Sequence, residues 1–343
     1  MKNGLLVHRT KNIGDEIQSL AASQFLPVID YLVDRESINK QISNEKVFII
    51  MNAWWMHKSN NFPPFNYLKP KFVSVHFNKK MKQKILEKNS FEYLKSHEPI
   101  GCRDQDTMNF LLKNNIKAYF SGCLTLTLKK DENIRKLNDI VIVDAPENIS
   151  KIVKDKTNRN IIELTHNIAS FYSPKAKLYI AKRYLNLYQR AHLVITSRLH
   201  VALPCLAFET PVIFVNKKNE QERFSGLLEL LNSVGLSDYE LFLENYDYEN
   251  PIQNSDDYKT IRDDLIIGLK KTTNYYNSIN FNEEDILEEF NLYQSSENEI
   301  DIFSDNLFSF INFKSLIKLN SVFVKKIIIK FYSKFKLLIR KSS

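Results

Sequence analysis

The stretch His192–Val215, HLVITSRLHVALPCLAFETPVIFV, constrains the fold more than any other part of the chain. The apolar run after His192 stops at Thr196, and apolar residues then resume through Phe208 at helical rather than alternating spacing. A second run, Pro211–Val215, follows. Two continuous apolar strands joined by a buried helix are the signature of a parallel sheet covered on both faces. The same alternation recurs along the chain. Lys2–His8, Lys46–Met51, Phe72–Val75 and Ile116–Phe120 read as strands, and about Asp15–Phe25 and Asp104–Lys113 as helices. A second cycle begins near Asp139, with strands Ile140–Val143 and Asn160–Leu164 and a helix Ser173–Arg190 that has Pro174 at its start. The pattern predicts a doubly wound α/β protein.

A chain of 343 residues exceeds the usual size of one core. The polar stretch Lys129–Asn138 predicts a boundary between a first lobe, 1–135, and a second, 136–300. Only seven glycines are present, and none forms GxGxxG or GxxxxGK, which weakens dinucleotide and P-loop readings. Cys102, Cys123 and Cys205 are dispersed with no CxxC pair, so no disulfide framework or metal site is expected. No apolar run approaches the ~20 residues needed to span a bilayer, and a cytoplasmic location is expected.

The net charge of +8 is localised. Residues 312–343 carry nine Lys or Arg and no acid, leaving 39 basic against 40 acidic residues elsewhere. A nucleic-acid enzyme would spread its basic groups along a groove of the fold, so that class is disfavoured. Within this tail Val324, Ile327, Ile328, Phe331, Phe335 and Leu338 recur at helical spacing between lysines. This predicts a basic amphipathic helix, either docked on its own protein or lying on an anionic membrane surface as a peripheral contact.

Thr196-Ser197-Arg198-Leu199-His200 is the strongest candidate site. A helix that starts where a strand ends presents unpaired N–H groups to an anion, at the sheet edge where α/β proteins bind ligands. Arg198 adds a planar, permanently charged fork, and His200 can exchange a proton near neutrality. The bland alternative pairs Arg198 with an acid and buries a satisfied His200. Arg103, between Cys102 and Asp104, occupies a similar strand-to-helix junction. Asn12, Gly14 and Asp15 follow the first strand, where Gly14 allows close backbone approach and the two polar residues could meet sugar hydroxyls; a turn capped by Asp15 is the alternative. Trp54-Trp55 could stack on a sugar or fill a core. His57, His76, His97 and His166 lack metal-like spacing with one another, and no metal site is expected.

Three segments resemble the polysaccharide pyruvyl transferases: NIGDEIQSLAA (12–22), GCRDQDTMNFLLKNNIKAYFSGCLTLTL (101–128) and AHLVITSRLHVALPCLAFETPVIFV (191–215). The resemblance implies a GT-B-like fold, two Rossmann-like lobes facing a cleft, with the acceptor on the first lobe, 1–135, and phosphoenolpyruvate on the second, 136–300. It implies transfer of the enolpyruvyl unit of phosphoenolpyruvate onto two hydroxyls of a sugar, forming a pyruvate ketal in exopolysaccharide or capsule biosynthesis. No cofactor is implied beyond phosphoenolpyruvate as co-substrate. By motif, Arg103, Arg198 and His200 match residues holding phosphoenolpyruvate, with His200 as proton donor. Asn12, Gly14 and Asp15 match the family's N-terminal loop, and Arg223 matches a further family arginine. Asp15 and Asp104 are the nearest candidates for the base. Glu209 departs from the glycine the family often has before Thr-Pro. The acceptor could be lipid-linked. The competing readings are a GT-B glycosyltransferase using a nucleotide sugar and a non-catalytic scaffold of polysaccharide assembly.

Overall fold

The computed structural model describes residues 1–168, 172–216 and 224–279. Arg223 and the basic tail 312–343 therefore lie outside the described residues. Two parallel sheets form the frame, as the alternation predicts. The first contains β1 (Lys2–Val7), β2 (Tyr31–Asp34), β3 (Val47–Trp55), β4 (Leu68–Phe77), β5 (Ile100–Cys102) and β6 (Ala118–Phe120), in the order β2-β1-β3-β4-β5-β6. The second contains β7 (Ile140–Val143), β8 (Ile161–Leu164), β9 (Leu193–Thr196), β10 (Val212–Asn216) and β11 (Ser233–Gly235), in the order β11-β10-β9-β7-β8. In each sheet the order reverses beside the first strand used, between β1 and β3 and between β7 and β9. These switch points open a crevice at the carboxyl ends of the strands. The short edge strands β2 and β11 were not apparent in the sequence, whereas β7 occupies its expected residues.

The central helices are α1 (Gly14–Ser23), α4 (Gln105–Lys113), α6 (Pro174–Arg190) and α7 (Leu199–Ala207). The remaining helices α2 (Lys79–Ile85), α3 (Lys88–Lys95), α5 (Ile149–Lys156) and α8 (Tyr239–Glu244) cover outer faces. All ten residues of α1 are buried, polar ones included. The reason is its position between the lobes: α1 packs on β1 and β3 on one side and on α6 and α7 on the other. Leu20 and Ala21 of α1, Leu185 of α6 and Val201 of α7 thereby join one apolar cluster that runs across both lobes.

The chain after residue 250, expected to close the second lobe, returns to the first. Helix α9 (Tyr258–Thr273) packs on a 3-10 turn at Leu124–Thr127. Tyr276 then stacks on Phe25 at 4.9 Å and donates its hydroxyl to the Thr127 carbonyl at 2.7 Å. Glu209 adopts φ +54°, the left-handed region that a family glycine would enter freely. Its carboxylate holds Lys130 at 2.7 Å, across the lobe boundary.

Because α1 is enclosed on every side, a cavity within it has no solvent-facing route to collapse. Leu20→Ala is expected to cost about 2–5 kcal/mol, read as a lowered urea midpoint with an unchanged m-value.

Candidate active site at the junction of the lobes

The loop after β1 and the loop after β8 clasp each other through their backbones. Ile13 N–H donates to the His166 carbonyl at 2.8 Å, Ile168 N–H donates to the Lys11 carbonyl at 2.8 Å, and Asn12 and Asn167 form an antiparallel bridge. This brings the two switch-point crevices together. Gly14 sits at the contact. A Cβ there would lie 3.2 Å from His166 Nδ1 and 3.3 Å from the Cβ of His200. The missing side chain thus permits approach of the other lobe, in addition to the ligand approach expected from sequence. Asn12 turns its side-chain oxygen to Gly14 N–H at 3.2 Å, at the start of α1.

Asp15 accepts the Thr10 hydroxyl at 2.7 Å and lies 3.6 Å from Arg35. Burial pushes its carboxyl up, but Arg35 and the Thr10 hydroxyl contribute to holding it below the usual carboxylate range. The next residue, Glu16, is displaced the other way, well above its ordinary value, by burial and by the Asp15 charge. Adjacent carboxyl groups with opposed displacements are equipped for different protonation states at neutral pH. His8 Nδ1 lies 3.9 Å from Glu16, and neither His8 ring nitrogen has a hydrogen-bond partner among the described residues. Burial, then Arg35, lowers its pKa to about 3, so the ring is neutral. Lys177, buried on α6, crosses between lobes to donate to the carbonyls of Thr10 at 2.7 Å and His8 at 3.3 Å.

On the second lobe Arg198 caps α7. Its backbone N–H donates to the Thr196 hydroxyl at 2.9 Å, and its Nε donates to Asp144 at 2.8 Å. Asp144 follows β7 at φ +46° and also accepts the His166 N–H at 2.9 Å. One carboxylate therefore fixes both Arg198 and the inter-lobe clasp. The Arg198 side chain stays 43% exposed. His200, in the first turn of α7, departs from helical geometry at φ −82°, ψ +19° and packs its Cβ toward Gly14. His166 is fully buried, with Nε2 2.8 Å from the Tyr188 hydroxyl. Burial holds its pKa at about 3.

Arg103 stands apart on the first lobe, at the carboxyl end of β5. Its guanidinium is fully buried, and Nε, Nη1 and Nη2 make no hydrogen bond among the described residues. Asp104, 3.6 Å from Nε, is its nearest countercharge. Asp104 also caps α4 through Thr107 N–H at 2.9 Å and bonds His76 Nδ1 at 2.7 Å. The start of α4 reaches the second lobe through Gln105 and Asp106 N–H groups bonded to Ser225, both at 3.1 Å. Asn12, Gly14, Asp15 and His200 thus converge at the clasp, with Arg198 joined to it through Asp144. Arg103 forms a neighbouring cluster with Asp104 and His76.

Among the described residues no group of three His, Cys, Asp or Glu is placed to hold a metal, and no helix is long and apolar enough to cross a membrane. Two surface hollows, lined by Tyr31 and residues 41–45 and by residues around Leu241 and Tyr246, contain none of the candidate residues. Asp144, Arg35, Glu16 and Lys177 escaped the sequence reading. Only Asp144 carried a usable signal there, as the first polar residue after the IVIV strand.

The model of the polysaccharide pyruvyl transferase family matches residues 12–219, which spans the clasp, Arg103, Asp144 and Arg198. No curated protein matches the chain significantly. Similar solved structures include an uncharacterised protein from Klebsiella pneumoniae, 11% identical, covering 68% of this chain and 92% of its own, with a TM-score of 0.43. Two UDP-N-acetylglucosamine 2-epimerases are similar at 12% identity. The one from Methanocaldococcus jannaschii has a TM-score of 0.37 over 78% of this chain and 99% of its own, and the other 0.38 over 87% and 98%.

The buried neutral His8 ties stability to pH. Its folded pKa lies below the ordinary value of 6.5, so the unfolded chain binds the extra proton and this contribution is lost as pH falls from about 6.5 toward 3. His8→Phe is expected to reduce the difference in unfolding free energy between pH 7 and pH 5 by about 2 kcal/mol. Urea titrations of both proteins at the two pH values measure it, and an unaltered difference would refute the burial of a neutral ring.

Proposed function

The chain belongs to the polysaccharide pyruvyl transferase family, and on that premise we propose that it moves the enolpyruvyl unit of phosphoenolpyruvate onto two hydroxyls of a sugar, giving a pyruvate ketal and inorganic phosphate. The observation that carries this reading is Arg103. A guanidinium sequestered from water, with Asp104 as countercharge at 3.6 Å but no hydrogen-bonded partner among the described residues, is costly unless a ligand completes its hydrogen bonds. Phosphoenolpyruvate supplies a carboxylate and a phosphate, and both match the planar fork of an arginine. Arg198 provides the second fork, and the N-terminus of α7 adds oriented N–H groups.

The reaction balances without a redox cofactor. Two protons leave the sugar diol; one ends on the methylene carbon and the other on the departing phosphate. Protonation of the methylene makes C2 electrophilic, the first hydroxyl adds there, and the second displaces phosphate to close the ring. His200 is assigned as the donor to the methylene or the phosphate. The acceptor sits on the first lobe in this reading, where Asp15 is held below the usual carboxylate range beside Arg35.

The test is phosphate release from phosphoenolpyruvate against a panel of free and lipid-linked galactosides and mannosamine-type sugars. Arg103→Met and Arg198→Ala are each expected to lower kcat/KM about a hundredfold or more, with circular dichroism unchanged. Full release in both variants overturns the assignment.

The lysine-rich tail 312–343 extends the proposal to location. An acid-free amphipathic segment gains roughly 1 kcal/mol per basic residue near an anionic leaflet, which would hold the enzyme at the membrane where a lipid-linked acceptor is presented. Truncation before residue 312 is expected to abolish sedimentation with phosphatidylserine vesicles while leaving turnover of a soluble acceptor intact; equal sedimentation of both forms would remove the idea.

A further inference from the structure

Asn52 on β3, Ser74 on β4 and Arg103 at the end of β5 occupy neighbouring strands, and none is more than 1% exposed. Met51 pairs with Phe72 and Ala53 with Val75, so Asn52 faces two residues, Val73 and Ser74, across the β3–β4 ladder. Met51, Phe72, Val75 and Cys102 belong to the apolar cluster on the far face of the sheet, whereas Val73 joins the cluster of α1. Asn52 is tied to α1, its Nδ2 donating to the Gln18 carbonyl at 2.9 Å. Arg103 follows Cys102 and so turns to the α1 side. There, burial pushes the Cys123 thiol up and the Arg103 charge opposes it. Arg103 N–H donates to the Val75 carbonyl at 2.8 Å, and Ser74 N–H to the Ser121 hydroxyl at 3.0 Å, which fixes β4 between its neighbours.

Each of these residues has polar atoms with no hydrogen-bond partner among the described residues. They are Asn52 Oδ1, Ser74 Oγ and the three guanidinium nitrogens of Arg103, with Gln18 Oε1 on α1. Neighbouring groups determine the amide orientations. A carbonyl only accepts, so the Asn52 nitrogen turns to Gln18 O and the Gln18 nitrogen to Gly14 O, at 3.4 Å. Both amide oxygens are left as acceptors. A single buried group of this kind is costly, and several in one place mark a site for a polar occupant. The backbone is strained at the same spot. Ala53 (φ +79°) and Ser74 (φ +55°) are left-handed, beside the register shift. Such strain persists where the surrounding structure enforces it, and it gathers at ligand sites.

We propose that Arg103, Ser74 and Asn52 form a subsite for a protonated phosphate, the form in which phosphate leaves phosphoenolpyruvate. This rests on the pyruvyl-transfer reading above. The guanidinium and the Ser74 hydroxyl donate to phosphate oxygens, and Asn52 Oδ1, with Gln18 Oε1 behind it, accepts from the oxygen that carries hydrogen. When the second sugar hydroxyl closes the ring, the bond from C2 to the phosphate oxygen breaks and its electron pair goes to phosphate. The hydroxyl proton ends on a phosphate oxygen, and only then does the Asn52 acceptor meet a donor. The subsite thereby favours the departing group over the intact ester. Sulfate has the same shape but holds no proton near neutrality, so it leaves the Asn52 oxygen facing another lone pair.

The probe is inorganic phosphate, titrated calorimetrically into the full-length chain at neutral pH, with sulfate at matched ionic strength as the comparison. Phosphate is expected to bind and to compete with phosphoenolpyruvate, and sulfate to bind about tenfold more weakly. Ser74→Ala is expected to weaken phosphate about tenfold, whereas loss of a purely structural hydroxyl would leave that affinity unchanged. Ser74→Gly, which suits the left-handed backbone, is expected to show the same loss and covers misfolding of the alanine variant. Asn52→Leu is expected to narrow the preference for phosphate over sulfate. Absent phosphate binding, equal binding of the two anions, wild-type phosphate affinity in both Ser74 variants, or an undiminished preference in Asn52→Leu each overturns the proposal. These titrations need no sugar. An enzyme that releases phosphate from phosphoenolpyruvate but fails them keeps the pyruvyl-transfer reading and loses the subsite. One that passes them and is silent on every sugar keeps a phosphate site and loses that reading.

Discussion

The backbone clasp between Lys11–Ile13 and His166–Ile168 is the contact on which the rest of the structure depends. Two parallel sheets can each place polar residues at their carboxyl ends, but one joint centre requires those ends to meet. The clasp makes them meet with main-chain hydrogen bonds, which need no particular side chains. What it does need is the absence of one, at Gly14, where a Cβ would press on His166 and His200. Once the edges are joined, α1 has no solvent face left. Its apolar residues then weld the lobes into one core, and its polar residues are forced into a dry interface.

That dryness explains the unusual charge states. Asp15, Glu16 and His8 would titrate near their ordinary values on a surface. Enclosed together, they divide into groups kept ionised by a countercharge and groups kept neutral by burial. Strain gathers at the same edges. Ala53, Ser74 and Asp144 take left-handed backbone conformations near the carboxyl ends of β3, β4 and β7. Each costs about 1–3 kcal/mol, a cost the surrounding sheets offset through packing.

Sequence periodicity was sufficient for the strands and helices because continuous apolar runs such as Ile140–Val143 and Leu193–Thr196 have few alternatives to a buried parallel strand. It also located Arg198 and Arg103, since a strand-to-helix junction is a local property. It failed where the determining fact is tertiary. Lys177 looks like any lysine of an amphipathic helix until α6 is laid against the loop after β1. His76 carries no signal in its spacing, because Asp104 reaches it from a different strand's end. The destination of α9 was equally hidden: its apolar face fits either lobe, and only the contacts of Ile261 and Tyr276 with the segment around Gly122–Thr127 decide between them.

Each lobe contributes one arginine–aspartate pair to the junction region, and the two are built differently. Arg198 and Asp144 pair tightly, at 2.8 Å, with the arginine side chain 43% exposed. Arg103 and Asp104 are 3.6 Å apart with both side chains fully buried. Electrostatic attraction is weakened by water at the first pair and little weakened at the second. In the pyruvyl-transfer reading proposed above, an anionic substrate held by both would draw most of its binding energy from Arg103, where Asp104 shares its charge with His76. Arg198 would act chiefly in orientation, its plane already fixed through Nε by Asp144. The first lobe's pair is thus buried and the second lobe's partly exposed, and the clasp holds the two lobes that carry them in one register.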